Sequence, residues 1–234
     1  HEKISAMGYG AAINALSDHE GGMAKYFSQR FAQVTNPPLD SIREQQGMTL
    51  RVALGNKPKF GGWHTKQIVI ESPILNKTYF EKLCYQKEVK VNPFEMTFKP
   101  VLKDNEKTKQ SLVSSINRLS EDVCAFAKRS GGIALLSDLA ISKECAPIPM
   151  ILAVSAVNQA LIDNGLRMNV SLVLETGQVS SSHHVACALG FGASAIYPFS
   201  VEIRSKEKFA SDAEGAFSKF AKATEKALLK TMGK

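Results

Sequence analysis

The chain has 234 residues, enough to bury a real core in one domain or in two small ones. Hydrophobic residues make up 44% of it and charged residues 22%, a balance that excludes a fibrous or disordered protein and is typical of a soluble globular one. The net charge of +7 permits an anionic partner. No aromatic-interleaved basic patch accompanies that charge, so solvated lysine surfaces are favoured over the alternative of a nucleic-acid-binding module.

The sequence indicates neither a targeting segment nor a membrane span. The longest apolar run, 146–162, is broken by Asn158 and Gln159 and is too short to cross a bilayer. The four cysteines, at positions 84, 124, 145 and 187, fit no zinc or iron–sulfur spacing. We therefore predict free thiols in a reducing compartment, a cytoplasmic protein with no membrane or nucleic-acid partner, and no bound metal.

A rigid corner is predicted in the first fifth of the chain. Met23–Gln33 carries apolar residues at helical spacing and should run as a helix into Thr35, Asn36, Pro37 and Pro38. The two prolines fix their own backbone angles, and the first one also pushes the preceding residue out of the helical region. Such a corner presents fixed carbonyls and small polar side chains. It is therefore either a stiff interhelical turn or the wall of a polar site or channel.

Shorter elements are predicted between residues 48 and 110. Met48–Leu54 alternates apolar and polar side chains as a strand does, and Ile68–Ile70 reads as a second short strand. Thr78–Tyr85 is predicted as a short helix and Val89–Pro100 as an extended segment. Because strands and helices do not alternate regularly here, we expect 57–110 to be an irregular, basic segment.

The second half of the chain alternates helices with apolar strands. Strands that are apolar on both faces and separated by helices indicate a parallel sheet that is covered on both sides. The predicted fold class is therefore α/β, with a mostly parallel sheet and flanking helices in an incomplete or open (β/α) barrel-like domain. The predicted helices are Thr108–Arg129, Pro149–Asn164, Ser180–Leu189 and Asp212–Thr231, and the predicted strands are Ile133–Leu136, Val170–Leu174 and Ala193–Ile196.

Polar residues follow the predicted strands at the edge where parallel α/β folds place their ligands. Asp138 and Glu175 could form an acid/base pair, or they could instead cap the helices that follow. His183 and His184 share the next helix, but neighbouring helical residues point about 100° apart, which disfavours one shared metal. These positions support one alternative function, an independent barrel-like metabolic enzyme that uses Asp138, Glu175 and His183.

Several stretches resemble the central domain of the glutamate synthase large subunit. They are FAQVTNPPLDSIRE at 31–44, the Ser-Pro-Ile-Leu step at 72–75, LLSD at 135–138, APIPMILAVSAVNQALIDNGLR at 146–167 and VSLVLETGQVSSSHHVACALGFGASAIYPF at 170–199. The sequence departs from the family at 176–178, where Thr-Gly-Gln replaces the usual Ser-Gly-Glu, and at 197–198, where Tyr-Pro replaces Asn-Pro. Between 56 and 110 the resemblance covers only the Ser-Pro-Ile-Leu step.

This resemblance implies a degenerate flavin-type barrel that binds no cofactor of its own. It implies that the domain joins a glutamine amidotransferase domain to an FMN-binding synthase domain and borders an internal ammonia tunnel. For the parent enzyme it implies FMN, a 3Fe-4S cluster and the reductive transfer of the glutamine amide nitrogen to 2-oxoglutarate, which gives glutamate. A reductase subunit or ferredoxin would be a further partner of that enzyme, and the isolated chain would be inactive.

The resemblance also points to tunnel residues near the start of the chain. Ala6-Met7-Gly8 matches a Ser-Met-Gly segment of the family and could face the proline corner from the other side. The expected division is a helical corner region near the tunnel over 1–56, the basic segment over 57–110 and regular βα units over 111–234. The residues expected to line the tunnel or a domain interface are Met7, Gly8, Thr35, Asn36, Pro37 and Pro38.

Overall fold

This computed structural model describes residues 22–28, 43, 46–58 and 65–233, in which strands and helices pack into layers. Within these residues there are also two short 3-10 helices, Met23–Tyr26 and Arg167–Asn169. The strands are β1 (Val52–Leu54), β2 (Ile68–Ile70), β3 (Val91–Glu95), β4 (Thr97–Phe98), β5 (Gly132–Ser137), β6 (Ala146–Pro147), β7 (Val170–Glu175) and β8 (Ala195–Tyr197). The helices are α1 (Lys77–Tyr85), α2 (Asn105–Arg129), α3 (Met150–Asp163), α4 (Ser182–Gly190), α5 (Phe199–Lys208) and α6 (Ala213–Met232).

A four-stranded parallel sheet in the order β3-β5-β7-β8 forms the centre of the molecule. Its register places Glu95, Ser137, Glu175 and Tyr197 side by side, so the carboxyl ends of the four strands are level. The segment 72–75 extends the sheet beyond β8 by a single parallel bridge. The predicted α/β class, with a mostly parallel sheet and flanking helices, is confirmed, and within the described residues the sheet does not close into a barrel.

Both faces of this sheet are buried, which explains why the strands are apolar on both sides. Alternate strand residues point to opposite faces, and each face packs against its own layer. One face packs against α2, α3, α4 and α6 through Ala134, Leu136, Leu172, Leu174 and Ile196. The other face packs against α1 and the β1–β2 ribbon through Ile133, Leu135, Val173, Ala195 and Tyr197.

A buried serine fixes the β1–β2 ribbon to the sheet. Ser171 in β7 is 0% exposed, and its hydroxyl accepts a hydrogen bond from the Gly55 N–H (3.0 Å) and donates one to the Gly55 carbonyl (3.1 Å). Gly55 directly follows β1 and has a φ of +119°, a conformation that favours glycine. Both backbone groups of this turn are therefore satisfied where the ribbon meets the sheet.

Helix α2 runs for 25 residues and ends at a tight turn into β5. The turn is made by Gly131 and Gly132, with φ values of +63° and +119°. A Cβ atom on Gly132 would lie 2.3 Å from the Lys90 carbonyl oxygen, so only glycine fits there. In the part of the chain that the structure describes, no helix is long and apolar enough to cross a membrane.

Before residue 110 the structure corrects some of the sequence-based predictions and confirms others. The predicted helix Met23–Gln33 is, where described, a 3-10 helix that ends at Tyr26, because Phe27 is extended and packs its ring on Phe191. The predicted strand Met48–Leu54 is confined to β1, where the pairing with β2 occurs. The strand predicted at Ile68–Ile70 and the helix predicted at Thr78–Tyr85 are confirmed as β2 and α1, and the division that makes 57–110 one irregular, basic segment stays a prediction.

Candidate functional site

Asp138 lies directly after β5 and is 1% exposed, so protein groups must satisfy its carboxylate. Its Oδ2 accepts hydrogen bonds from the Thr176 hydroxyl (2.7 Å) and the Gln178 amide (2.8 Å). Its Oδ1 accepts a third from the Gly177 N–H (2.9 Å), and its own N–H donates to the Glu175 carbonyl (3.1 Å). The carboxylate therefore holds the ends of β5 and β7 together, and its oxygens face these donors.

Gln178 extends this network to the start of α3. Its Nε2 also donates to the Ile148 carbonyl (2.9 Å), and its Oε1 accepts from the N–H of Met150 (2.9 Å), the first residue of the helix. The residue before the helix is Pro149, which supplies no side-chain cap. The Gln178 amide thus provides an acceptor that the first turn of the helix would otherwise lack.

Glu175 ends β7 beside Ser137, the last residue of β5, whose hydroxyl donates to Glu175 Oε2 at 2.6 Å. Burial and, secondarily, the charges of Glu175 and Glu81 raise the pKa of the Cys84 thiol to about 11. Glu175 and Asp138 accept these side-chain hydrogen bonds from different donors. The two carboxylates that the sequence placed at one edge are thus both present there, each within its own set of contacts.

Tyr197 completes the row of residues at the carboxyl ends of the strands. Its ring stacks on Phe80 with 4.5 Å between centroids, and its hydroxyl donates to Glu202 Oε2 at 3.0 Å. Burial, that hydrogen bond and the nearby carboxylates raise the pKa of Tyr197 well above its usual range. The side chain is therefore a neutral hydrogen-bond donor at physiological pH, and its ring fills the sheet face that α1 covers.

The two adjacent histidines make separate contacts, as their angular separation on a helix predicts. The Nε2 of His183 donates to the Ala24 carbonyl (2.9 Å), and Cys187 Sγ lies 3.6 Å from the same nitrogen. The Nδ1 of His184 lies 2.7 Å from the hydroxyl of Ser181, the residue before α4. Both rings are buried. Among the residues that the structure describes, no three His, Cys, Asp or Glu side chains are placed to hold a metal ion.

A cavity of about 260 Å³ opens at this carboxyl edge. It is lined by the segment 22–24, the start of α3, Gln178, His184 and Arg204. Arg204 is exposed and gives the cavity a positive rim. The Gln178 amide on its wall is already engaged by Asp138 and by the start of α3.

The six residues expected to line a tunnel or a domain interface all lie outside the described residues, so their assignment stays a prediction. The described segment nearest to them along the chain is 22–28, which lies between Gly8 and Thr35. Its Ala24 is held by His183, and its Phe27 ring packs edge-on against Phe191, with 4.9 Å between centroids. The chain before the proline corner is therefore fastened along α4. The six residues are Met7, Gly8, Thr35, Asn36, Pro37 and Pro38.

Three hydrogen-bonding residues of this edge were not singled out from the sequence. Ser137 donates a hydrogen bond to Glu175, while Thr176 and Gln178 donate to Asp138. Each of them ends an apolar strand or follows one within three residues, and that position is the signal that could have identified them. Sequence position shows which residues reach the edge but not which donor faces which acceptor.

Comparison with known proteins decides the family. Residues 1–234 match the family model described as the glutamate synthase central domain. The chain belongs to the glutamate synthase central domain family. The resemblance carried by the proline corner and the strand-end motifs is thereby confirmed over the whole chain.

Its relatives are glutamate synthases of which this domain is one segment. A ferredoxin-dependent glutamate synthase of Cyanidium caldarium is 37% identical over 201 residues, which cover 85% of this chain and 13% of that protein. The chloroplastic ferredoxin-dependent enzyme of Spinacia oleracea is 37% identical over 205 residues, covering 85% of this chain and 12% of its own length. The NADPH glutamate synthase large chain of Bacillus subtilis is 32% identical over 243 residues, covering 100% and 15%. The chain thus spans about an eighth of the length of these relatives.

Proposed function

We propose that this chain is the non-catalytic connecting domain of a glutamate synthase. It holds an amidotransferase domain and an FMN-binding synthase domain together and walls the passage through which ammonia moves between them. The parent enzyme transfers the glutamine amide nitrogen to 2-oxoglutarate by reduction and so belongs to the oxidoreductases acting on CH-NH2 donors. Its FMN and 3Fe-4S cluster reside in other domains, and a reductase subunit or ferredoxin delivers the electrons.

The burial and the hydrogen bonds of Asp138 are the observation that carries this proposal. An independent enzyme built on the strand ends needs a carboxylate that substrate can reach, and Asp138 is 1% exposed with three donors on its oxygens. His183, the proposed third member of that alternative site, is 8% exposed and donates to the Ala24 carbonyl. Both side chains stabilise the edge of the sheet, which is the work of a scaffold.

The passage is proposed from the chemistry of its cargo. Ammonia must cross without escaping and without being protonated in bulk water, so the passage needs rigid walls that exclude water and present a few hydrogen-bonding groups. Thr35 and Asn36 supply small polar side chains, and Pro37 and Pro38 hold them on a stiff backbone. Met7 and Gly8 belong to the segment expected to face them.

The surroundings of the cysteines support a reducing compartment, which we propose to be the cytoplasm. All four thiols are free, and two of them, Cys124 and Cys187, are buried. Burial raises the pKa of both thiols, which keeps them protonated and slow to oxidise. Such thiols act as small apolar side chains in the core and need no oxidising environment to stabilise the fold.

The coupling of the two half-reactions tests the proposal. In the parent enzyme, Thr35→Trp should block the passage, so that ammonia is lost and the glutamate formed per glutamine consumed falls from two towards one. Thr35→Ser keeps a small hydroxyl and is the matched control, with the ratio expected to stay at two. A Thr35→Trp enzyme that still forms two glutamates per glutamine would remove Thr35 from the passage.

A further inference from the structure

A large groove lies at the β8 edge of the sheet, away from the strand-end network. Its volume is about 710 Å³, within the range of about 300–1,000 Å³ typical of pockets that hold small molecules or a few side chains. One wall is β2 with α1, and the other is the first half of α6. The floor and walls are apolar, formed by Ile68, Ile70, Ile74, Leu75, Leu83 and Phe217.

The edge of β2 faces this groove. Within the described residues β2 pairs with β1 alone, so its other edge has no strand beside it. Successive residues of a strand point to opposite faces, yet Ile68, Val69 and Ile70 all line the groove, as residues along an open strand edge do. Val69 is 52% exposed although it is apolar. An open edge with unpaired N–H and C=O groups can accept an added strand.

The opposite wall has room for such a strand. Gly215, Ser218 and Ala221 of α6 follow one another at a spacing of three residues and line the groove. Their side chains are small, so a partner backbone can approach the helix closely. The groove therefore combines a strand edge on one side with a low wall on the other.

The rim of the groove is acidic, against the basic balance of the chain. Four glutamates and two lysines line it, while the whole chain carries a net charge of +7. Glu71 pairs with Arg51, but in the part of the chain that the structure describes Glu88, Glu214 and Glu225 form no ion pair. Among the described residues Lys82 and Lys222 form no ion pair either, so the rim keeps a small excess of negative charge, which favours a partner that is apolar and positively charged.

We propose that this groove docks a short extended peptide segment that adds to the free edge of β2. The segment carries apolar side chains for the floor and at least one lysine or arginine for the rim. It comes from another part of the same longer polypeptide, since the chain accounts for only 12–15% of the length of its relatives. The origin of the segment rests on the proposed connecting role, whereas its chemistry rests on the groove alone.

Site-specific photo-crosslinking in the full-length parent protein tests this docking. Tyr79 and Tyr85 are both exposed tyrosines of α1, 62% and 82% accessible, but only Tyr79 lines the groove. Replacing each in turn by p-benzoylphenylalanine gives a probe and a control on one helix. The Tyr79 probe should crosslink to a segment outside residues 1–234 that contains apolar residues and a lysine or arginine, and the Tyr85 probe should not.

The charge of the rim gives a second readout. The double substitution Glu214→Lys and Glu225→Lys in the Tyr79-probe protein should lower the crosslink yield about fivefold at low salt, because the weak attraction of exposed charges becomes repulsion. Lys222→Glu, on the same helix face, should raise it. The proposal is overturned by no crosslink from Tyr79, by equal crosslinks from Tyr79 and Tyr85, or by a crosslink to an acidic segment, to a second copy or within residues 1–234. Each of these results leaves the coupling ratio of the Thr35 variants unaffected, so the two proposals fail separately.

Discussion

Replacing Asp138 by alanine should destabilise the chain through the donors that it leaves behind. The substitution strips an acceptor from the Thr176 hydroxyl, the Gly177 N–H and the Gln178 amide. Each buried donor left unsatisfied costs about 1–3 kcal/mol. Thr176 is 0% exposed and bears the full cost, whereas Gln178 keeps its bond to the Ile148 carbonyl and bears less.

An opposing contribution reduces this cost without cancelling it. Removing the carboxylate also removes the desolvation penalty of a buried charge, which for well-packed apolar replacements can outweigh the lost interactions. Alanine leaves the three donors in place and fills none of the space, so the loss of acceptors dominates. We expect the free energy of unfolding to fall by about 2–4 kcal/mol, a large part of the ~5–15 kcal/mol typical of a domain.

Urea unfolding followed by circular dichroism measures this change. With a slope of about 2–3 kcal/mol per molar for a chain of this size, the midpoint of Asp138→Ala should fall by about 1–2 M. Asp163→Ala is the control, because its carboxylate also accepts from a glutamine amide but is exposed at the end of α3. The free energy of unfolding of the control should lie within about 0.5 kcal/mol of that of the unsubstituted chain. A midpoint for Asp138→Ala that matches the control would show that this carboxylate does not hold the ends of β5 and β7 together.

Three further predictions address the ribbon, the α2–β5 turn and the thiol at the edge. Ser171→Ala should cost about 1–3 kcal/mol and speed amide exchange next to β1, as hydrogen-exchange mass spectrometry can detect, because both bonds of the buried hydroxyl are lost. Gly132→Ala should cost more than 3 kcal/mol in urea unfolding, since a Cβ would lie 2.3 Å from a carbonyl oxygen, and equal midpoints would contradict this. Cys84, with a pKa raised to about 11, should alkylate roughly 100-fold more slowly at pH 8 than in the unfolded chain. Glu175→Gln should speed that reaction, and an unchanged rate would show that the carboxylate does not act on the thiol.

The raised pKa values of Cys84 and Tyr197 should also lower the stability of the fold at alkaline pH. Burial is the first cause for both Cys84 and Tyr197, and in both the folded state favours the protonated form. The unfolded chain therefore loses these protons first as the pH rises above about 9, and stability should fall from there towards pH 11. Urea midpoints at pH 8 and pH 10.5 measure the fall, and Cys84→Ser should make it smaller. Equal midpoints at the two pH values would contradict the burial of these groups.

The central strands and long helices were predictable because buried positions are apolar and recur at the spacing of a strand or a helix. β5 and β7 are apolar on both faces, and α2 carries apolar residues at helical spacing over its whole length. Helix α5 was not predicted, since its residues are mostly polar. It is stabilised by contacts with other parts of the molecule, among them the hydrogen bond from the Tyr197 hydroxyl to Glu202. Within the helix, Glu202 also forms an ion pair with Lys206 at 2.9 Å.

The strand β6 shows a second kind of limit. It has only two residues, Ala146 and Pro147, and it exists because they pair with β4, about fifty positions earlier in the chain. Local sequence carries no signal for such a pairing. The same pairing splits the extended segment predicted over Val89–Pro100 into β3 and β4, because β4 leaves the parallel sheet to meet β6.

The position of the candidate site could be predicted from the sequence, but the role of its side chains could not. Parallel strands bring their carboxyl ends to one edge, so the positions of Asp138 and Glu175 followed from the strand predictions. What the side chains do there depends on which donors the folded chain brings near them, and these are Ser137, Thr176 and Gln178. A strand-end carboxylate in a sequence is compatible with catalysis or with support, and only the hydrogen bonds of the fold separate the two.

Isotope dilution in the parent enzyme tests the central claim, that this domain walls a closed route for ammonia, most directly. Glutamine labelled with nitrogen-15 in its amide is supplied with 2-oxoglutarate, a reductant and an excess of unlabelled ammonium, and the label in the new amino group of glutamate is measured. We predict undiluted label in the parent enzyme and diluted label in Thr35→Trp. Dilution in the parent enzyme in proportion to the added ammonium would contradict the account, because the ammonia would then pass through bulk solvent.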